Sequence, residues 1–322
     1  MTTNKELIKE KLNRFGEEKE PFLFIISYDF SKFYIEKIKN LPEDIRFEID
    51  SNKKSKKSNE TKVSKFPISF YEYEKKFDFL QEQIRRGNTY LLNLTSKTRI
   101  DTALSLDEIY DKVEAKFKLR YKNKDDSFVC FSPERFVEIE DNKISTYPMK
   151  GTIDANKKDA EKLILTDIKE MAEHTMVVDL LRNDLALISK NVKVENFRYI
   201  DKINAGDKQL LQVSSKITGK LKENWNKKIG SIIVPMLPAG SITGTPKKST
   251  VEILKKVEDY KRDFYTGVFG YFDGCRLDSS VMIRFIEEKN GQKFYKSGGG
   301  ITCDSLAKSE YQELIDKIYL PI

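Results

Sequence analysis

The sequence predicts an α+β fold, with antiparallel sheets and helices on their outer faces. Two observations carry this. Strand-like runs come as hairpins: "FVEIEDNKIST" (136–146) alternates and turns at Asp141-Asn142, and "DSSVMIRFIEEKNGQKFYKSGGG" (278–300) turns at Asn290-Gly291. Both dipeptides suit tight turns that need positive φ. Between the hairpins lie runs with helical spacing, above all 158–188, rich in Leu, Ile, Met and Val three and four residues apart. Locally paired strands with helices between them favour antiparallel sheets over a parallel βαβ arrangement.

The remaining elements follow in order. "MTTNKELIKEKLNRF" is an amphipathic, charged helix pattern, and "PFLFIISYDF", Pro21 to Phe30, reads as a buried strand. Tyr73 to Arg86 has helical spacing and stops at Gly87, a good residue just past a helix end. "TYLLNLTSKTRI" reads as a strand. "SLDEIYDKVEAKF" opens with a capping box, Ser105 with Glu108. In "TGTPKKSTVEILKKVE", Thr245 is the expected N-cap and Pro246 the first helical position. A last helix runs from about Ser305 to Tyr319.

A chain of 322 residues buries a large core, and we take 1–322 as a single domain without internal repeats. The N-terminus lacks the apolar core of a secretion signal, and the longest apolar runs are too short to cross a bilayer. The three cysteines, Cys130, Cys275 and Cys303, have no metal or redox spacing and are expected as buried or part-buried thiols of a cytoplasmic protein. The net charge is +7, and much of the excess sits in 51–65, "SNKKSKKSNETKVSK", with six lysines and one acid. Without interleaved aromatics or arginines, this stretch is expected to be a solvated, mobile loop rather than a nucleic-acid surface. The lone Trp225, in "KENWNKK", reads as a partial surface anchor.

Several residues could carry chemistry. "KEMAEH" places Glu170 and Glu173 three apart on one helical face, and "SEYQE" does the same with Glu310 and Glu313. Two such pairs would offer the oxygen ligands that Mg²⁺ prefers, although glutamates at this spacing are also common on solvated helices. "AGSITGTPK" (239–247) is a small-residue loop feeding a helix N-terminus, but it lacks phosphate-loop spacing. Gly298, Gly299 and Gly300 either allow close approach of a ligand to the backbone or make a tight turn. Arg284, in the otherwise apolar strand-like run "SSVMIRF", needs an anionic partner, either a ligand or a structural ion pair. His174, the only histidine, follows Glu173 in a helix and reads as a satisfied structural group rather than a base.

Taken together, "SPERFVEI", "YPMKGT", "KEMAEHTMVVDLLRNDL", "PAGSITGTPK", "GVFGYFDG", "MIRF" and "SGGGITCDSLAKSEYQE" stand in the order seen in the chorismate-utilising enzymes, and from about 65 to 320 the chain resembles that family. The family includes anthranilate synthase large subunits, component I of aminodeoxychorismate synthase, isochorismate synthase and salicylate synthase. The resemblance implies a layered α/β sandwich of two antiparallel-rich sheets and Mg²⁺-dependent replacement of the chorismate hydroxyl. It implies that Glu170, Glu173, Glu310 and Glu313 surround the metal. Arg284, Tyr265, Gly298 and Gly300 would hold a carboxylate, with Ser241 and Thr243 in the substrate-facing loop. Glu134, in "SPERF", matches the general acid that protonates the departing hydroxyl, a role that requires a protonated carboxyl.

Lys150, in "YPMKGT", is the distinguishing residue. Anthranilate synthases usually carry alanine here, whereas aminodeoxychorismate synthases typically carry lysine. The resemblance therefore implies a nucleophilic amine that forms a ring adduct, which ammonia then displaces. A free lysine has a pKa of about 10.4, so attack requires its neutral form. Leu91 replaces a residue that is commonly polar in the family, and Gln212 replaces a common histidine. Without a lysine at 91, activation of water is not expected. Gln212 can hydrogen-bond substrate but not shuttle a proton. The expected activity is that of aminodeoxychorismate synthase component I, leading to 4-aminobenzoate and folate, with anthranilate synthase component I as the rival and a basic nucleic-acid-binding protein as a remote one. The expected partners are an amidotransferase subunit that supplies ammonia from glutamine and a downstream aminodeoxychorismate lyase, with no nucleic acid and no membrane.

Overall fold

The computed structural model describes residues 3–50, 63–205 and 208–321. Its backbone divides into two compact units. One comprises Met1–Leu41, Glu134–Ser241 and Gly267–Val281; the other comprises Pro42–Pro133, Ile242–Thr266 and Met282–Ile322. Among the described residues each unit contains one sheet, and every strand pairing in both is antiparallel, which makes the fold α+β.

In the first unit, Phe22–Ile26 lies between Phe33–Lys37 and Val268–Phe272. All five of its side chains are buried, as a continuous apolar run implies. The sheet continues through Leu277–Val281, Arg135–Glu140 and Lys143–Thr146 to the long strand Lys208–Lys220. That strand pairs with Lys190–Ala205 along its length, and with Met149–Asp154 and Lys143–Thr146 in succession. The helices of this unit are Asn4–Glu17, Ala160–Thr166, Ile168–Ala186 and Ile229–Met236.

In the second unit the sheet runs Gly244–Thr245, Leu91–Asp101, Gln292–Ile301, Phe285–Lys289, Ser127–Ser132, Phe117–Lys122 and Ile45–Glu48. The helix Phe70–Arg85 buries Tyr73, Phe77, Leu80 and Ile84, a stripe at helical spacing, against Leu92, Leu94, Ile301 and Leu314. Ile109, Tyr110, Val129, Phe131, Ile286 and Tyr295 form another core cluster.

The local signals hold where short-range chemistry decides. Both predicted turns use left-handed residues: Asp141 and Asn142 at φ 47° and 59°, and Asn290 and Gly291 at 53° and 73°. The Ser105–Glu108 capping box is present, and Gly87 ends its helix at φ +73°. Elsewhere the structure corrects the reading. The run 158–188 is two helices, because Asp167 ends the first and caps the second by accepting from Glu170 N at 2.9 Å. The helix from Ser105 ends at Lys112, and Phe117 starts a strand. Thr245 is not an N-cap: it pairs with Leu91 in the sheet, and Pro246 takes the cap position. The 278–300 run is not one hairpin, since Leu277–Val281 belongs to the first unit's sheet and only Phe285–Lys289 pairs with Gln292–Ile301. Arg284 therefore lies between strands, at φ +53°, rather than within one.

Trp225 is buried, edge-on to Phe272 at 5.8 Å, rather than a surface anchor. Cys130 is buried, but Cys275 and Cys303 are exposed. Of the predicted lysine loop, 51–62 lies outside the described residues, and Ser64 and Lys65 belong to a short strand paired with Leu91–Asp101.

Candidate active site

Lys150 belongs to Met149–Asp154, whose register against Lys208–Lys220 shifts between Met149 and Thr152. Lys150 and Gly151 thus stand in a bulge, a device that re-aims side chains. Gly151 adopts φ +90°, and a Cβ there would meet Glu170 Oε2 at 3.3 Å and the Ile164 side chain at 3.6 Å. Glycine thereby permits both the conformation and the close approach of the Ile168–Ala186 helix. Lys150 Nζ pairs with Glu173 Oε2 at 2.7 Å, with the lysine side chain 26% and the glutamate 6% exposed. The sequence-predicted Lys150, Glu170 and Glu173 are therefore brought together.

His174 is fully buried, as a structural group should be. Its Nε2 is 2.6 Å from Ser215 Oγ, and its ring meets Phe197 edge-on at 5.9 Å. Burial, followed by the positive charges of Arg198 and Lys150, pushes its pKa down to about 4, so the ring is neutral at pH 7. Glu134 accepts a hydrogen bond from Ser241 Oγ at 2.5 Å, while its backbone carbonyl accepts from Ser280 Oγ at 2.7 Å. The general-acid candidate is thus held at side chain and backbone. Gln212 lies opposite Thr152 and Asp201, and its Oε1 is buried without a hydrogen-bond partner among the described residues.

In the second unit, Gly298, Gly299 and Gly300 are not a turn. They continue the strand Gln292–Ile301, opposite Thr95, Leu94 and Asn93. A Cβ at Gly298 would stand 2.7 Å from Leu94 O. At Gly299 it would lie 3.6 Å from Glu310 Oε2 and 3.7 Å from Glu313 Oε1, so the two carboxylates converge over a backbone that lacks a side chain. Both acids come from the helix Ala307–Asp316. Thr243 is fully buried, and its carbonyl accepts from Asn93 N at 3.0 Å. Tyr265 is buried, which drives its phenol far above the ordinary range. The Arg284 guanidinium lies 5.3 Å from the Tyr319 ring centre, and its carbonyl accepts from Phe131 N.

Two groups escaped the sequence reading. Lys317 Nζ pairs with Glu313 Oε1 at 2.6 Å and donates to Gly298 O at 2.9 Å. Its i+4 spacing from Glu313 was the available signal. Arg262 is buried, forms a two-bond pair with Glu258, and donates to the carbonyls of Ile242 and Asn93. It ties the predicted substrate loop to the neighbouring strand, a link no local pattern reveals.

The oxygen-only donor sets suit a hard divalent cation such as Mg²⁺. Within each unit they come as a pair, and among the described residues no group of three or more His, Cys, Asp or Glu side chains is arranged to hold a metal.

Residues 22–321 match the sequence profile of chorismate binding enzymes. The chain belongs to the chorismate-binding enzyme family. As a family member it is an enzyme acting on chorismate. It is 45% identical over 317 residues to an uncharacterized PabA-like protein of Haemophilus influenzae, covering 97% of this chain and 96% of the relative. It is 31% identical over 260 residues to aminodeoxychorismate synthase component 1 of Salmonella typhimurium, covering 77% of this chain and 56% of that protein. Among solved structures, anthranilate synthase component I of Streptococcus pneumoniae superposes with a TM-score of 0.68 at 26% identity, covering 80% of this chain and 59% of that one. Among the described residues no helix is long and apolar enough to cross a membrane.

Proposed function

We propose that this chorismate-binding enzyme is component I of an aminodeoxychorismate synthase, converting chorismate and ammonia to 4-amino-4-deoxychorismate and water. The observation that carries the reading is Lys150, held in a bulge with its amine on Glu173. Ortho-aminating relatives usually carry alanine at this position. The aminodeoxychorismate synthase relatives support the same assignment.

In this reading the Lys150 amine forms a bond to the ring carbon ortho to the carboxylate-bearing carbon. The diene electrons shift toward the hydroxyl-bearing carbon, and the C–O bond there breaks. Glu134, oriented by Ser241, gives its proton to the departing hydroxyl, which leaves as water. Ammonia then bonds to the vacated carbon, the electrons shift back and the lysine amine is released; the new ammonium gives up one proton, which restores the Glu134 carboxyl. The amine must leave its ion pair with Glu173 in neutral form before it attacks. Glu170, Glu173, Glu310 and Glu313 are proposed as Mg²⁺ ligands; the bound cation would neutralise substrate carboxylate charge. Glu173 would link the two roles, because a carboxylate that held a cation would hold the Lys150 ammonium less strongly. Arg284, Tyr265, Gly298 and Gly300 are proposed for substrate carboxylate binding, and Thr243 and Gln212 for the substrate's polar edge. A glutamine amidotransferase subunit is the proposed ammonia source, and a lyase the consumer of the product.

The test is incubation with chorismate, ammonium and Mg²⁺, with and without aminodeoxychorismate lyase. Formation of 4-aminobenzoate only when lyase is present supports the reading. Fluorescent anthranilate formed without lyase overturns it in favour of anthranilate synthase component I.

A further inference from the structure

The bulge at Lys150 poses a mechanical question. Ladder register shifts there, so the sheet alone does not determine where the amine points. Ser215, on the neighbouring strand Lys208–Lys220, links the elements around it. Its N–H donates to Pro148 O at 3.0 Å, two residues before Lys150. Its Oγ accepts from Arg198 N at 2.9 Å and lies 2.6 Å from His174 Nε2. The Arg198 guanidinium in turn donates to Ile164 O and Leu165 O, at the end of the helix whose Ile164 side chain backs Gly151. His174 directly follows Glu173, the partner of Lys150.

Counting hydrogen-bond partners favours one direction for the buried contact. A serine hydroxyl has one proton. If it goes to Nε2, His174 carries its own proton on Nδ1, and only that group lacks a partner among the described residues. If Nε2–H donated instead, both Nδ1 and the serine proton would be left over. Buried polar groups favour the arrangement that leaves fewer unsatisfied.

We propose that His174 and Ser215 form a positioning pair that sets the placement of Lys150 against Glu173, with the Ser215 hydroxyl donating a hydrogen bond to His174 Nε2. The pair does not touch the reacting atoms. Its consequence for catalysis rests on the function proposed above, but the placement itself does not.

The test uses the full chain without a histidine tag. Because His174 is the only histidine, ¹⁵N labelling gives a single pair of ring signals. We expect a neutral ring with the proton on Nδ1; a proton on Nε2 overturns the arrangement. The second readout is trace acetylation at fixed pH, with the rate at Lys150 taken relative to that at Lys112. Ser215→Ala and His174→Leu are expected to change this ratio by about threefold or more, the scale of one lost hydrogen bond. His174→Gln, which can still accept at the Nε2 position, is expected to restore it. If His174→Leu does not fold, Ser215→Ala, which keeps the imidazole, carries the comparison. An unchanged ratio in a folded Ser215→Ala variant overturns the proposal. In turnover assays the same variants should lower kcat more than they raise the chorismate KM. A wild-type chain that never aminates chorismate sinks the proposed function, while the ring signals and the acetylation ratio still decide this inference.

Discussion

Lys150 Nζ lies 2.7 Å from Glu173 Oε2, joining a bulged strand to the helix that carries Glu170 and Glu173. The pair joins the residue proposed as nucleophile to one proposed as metal ligand. Incubation with chorismate in the absence of ammonia should add substrate-derived mass to the Lys150 peptide. Lys150→Ala should remove that mass and slow formation of the para-amino product, with residual turnover because the other groups survive and catalytic contributions are not additive. An unmodified Lys150 peptide together with wild-type rate and product in Lys150→Ala would reduce the lysine to a charge partner.

The acidic pairs predict a metal requirement. Glu173→Gln and Glu313→Gln should each lower kcat/KM on the order of a hundredfold, the scale of losing one electrostatic stabiliser, while leaving the fold intact. Excess chelator should abolish turnover, and added Mg²⁺ should restore it. Full activity in chelator, or in both variants, refutes the assignment.

Glutamine should not serve as nitrogen source for this chain alone. Cys130 is buried, and its burial pushes the thiol far above its ordinary range, away from the reactive thiolate. The only histidine is buried against Ser215 and unavailable to activate a cysteine. We expect turnover with ammonium and none with glutamine, measured on highly purified protein; glutamine-dependent product would overturn this.

A stability prediction comes from the second unit. Lys296, 1% exposed, pairs with Glu287, 7% exposed, at 2.8 Å and donates to Arg262 O at 3.1 Å. Glu287→Gln leaves a buried ammonium without its counter-charge and should cost about 3–5 kcal/mol. Glu287→Gln combined with Lys296→Met should recover most of that loss. Denaturant unfolding of both variants checks this, and equal stabilities would refute it.

The same pair predicts the acid limb. Burial alone would raise the Glu287 carboxyl, but Lys296, Lys289 and Lys97 outweigh it and hold it below its ordinary value of 4.5. Burial lowers Lys296 even beside Glu287, yet it stays protonated in acid, so Glu287 governs there. A depressed carboxylate contributes stability that is full above its unfolded value and is lost as pH falls through its folded value. Wild-type stability should therefore decline below about pH 4.5, and Glu287→Gln should flatten that decline. A parallel decline in both proteins would remove Glu287 from the account.

Features that chemistry within a few residues decides were legible before folding. The Asp141-Asn142 and Asn290-Gly291 turns, the Ser105 capping box and the Gly87 helix end follow from side chains acting on their own backbone. The ordered motifs likewise carried the family, since they required only order and spacing. Tertiary structure decided the rest. Asp167 divides a continuous apolar pattern into two helices, and Thr245 joins a strand instead of capping a helix, because a distant ladder partner outcompetes a local cap. Arg284 falls between strands because its flanking segments pair in different sheets. The contacts of Lys150 with Glu173, His174 with Ser215, and Lys317 with the Gly298 carbonyl depend on bulge position, register and helix placement. Hydrogen bonds and ion pairs require atoms within about 3 Å. Sequence spacing fixes such distances along one helix or across one turn, but between elements only the packed fold sets them.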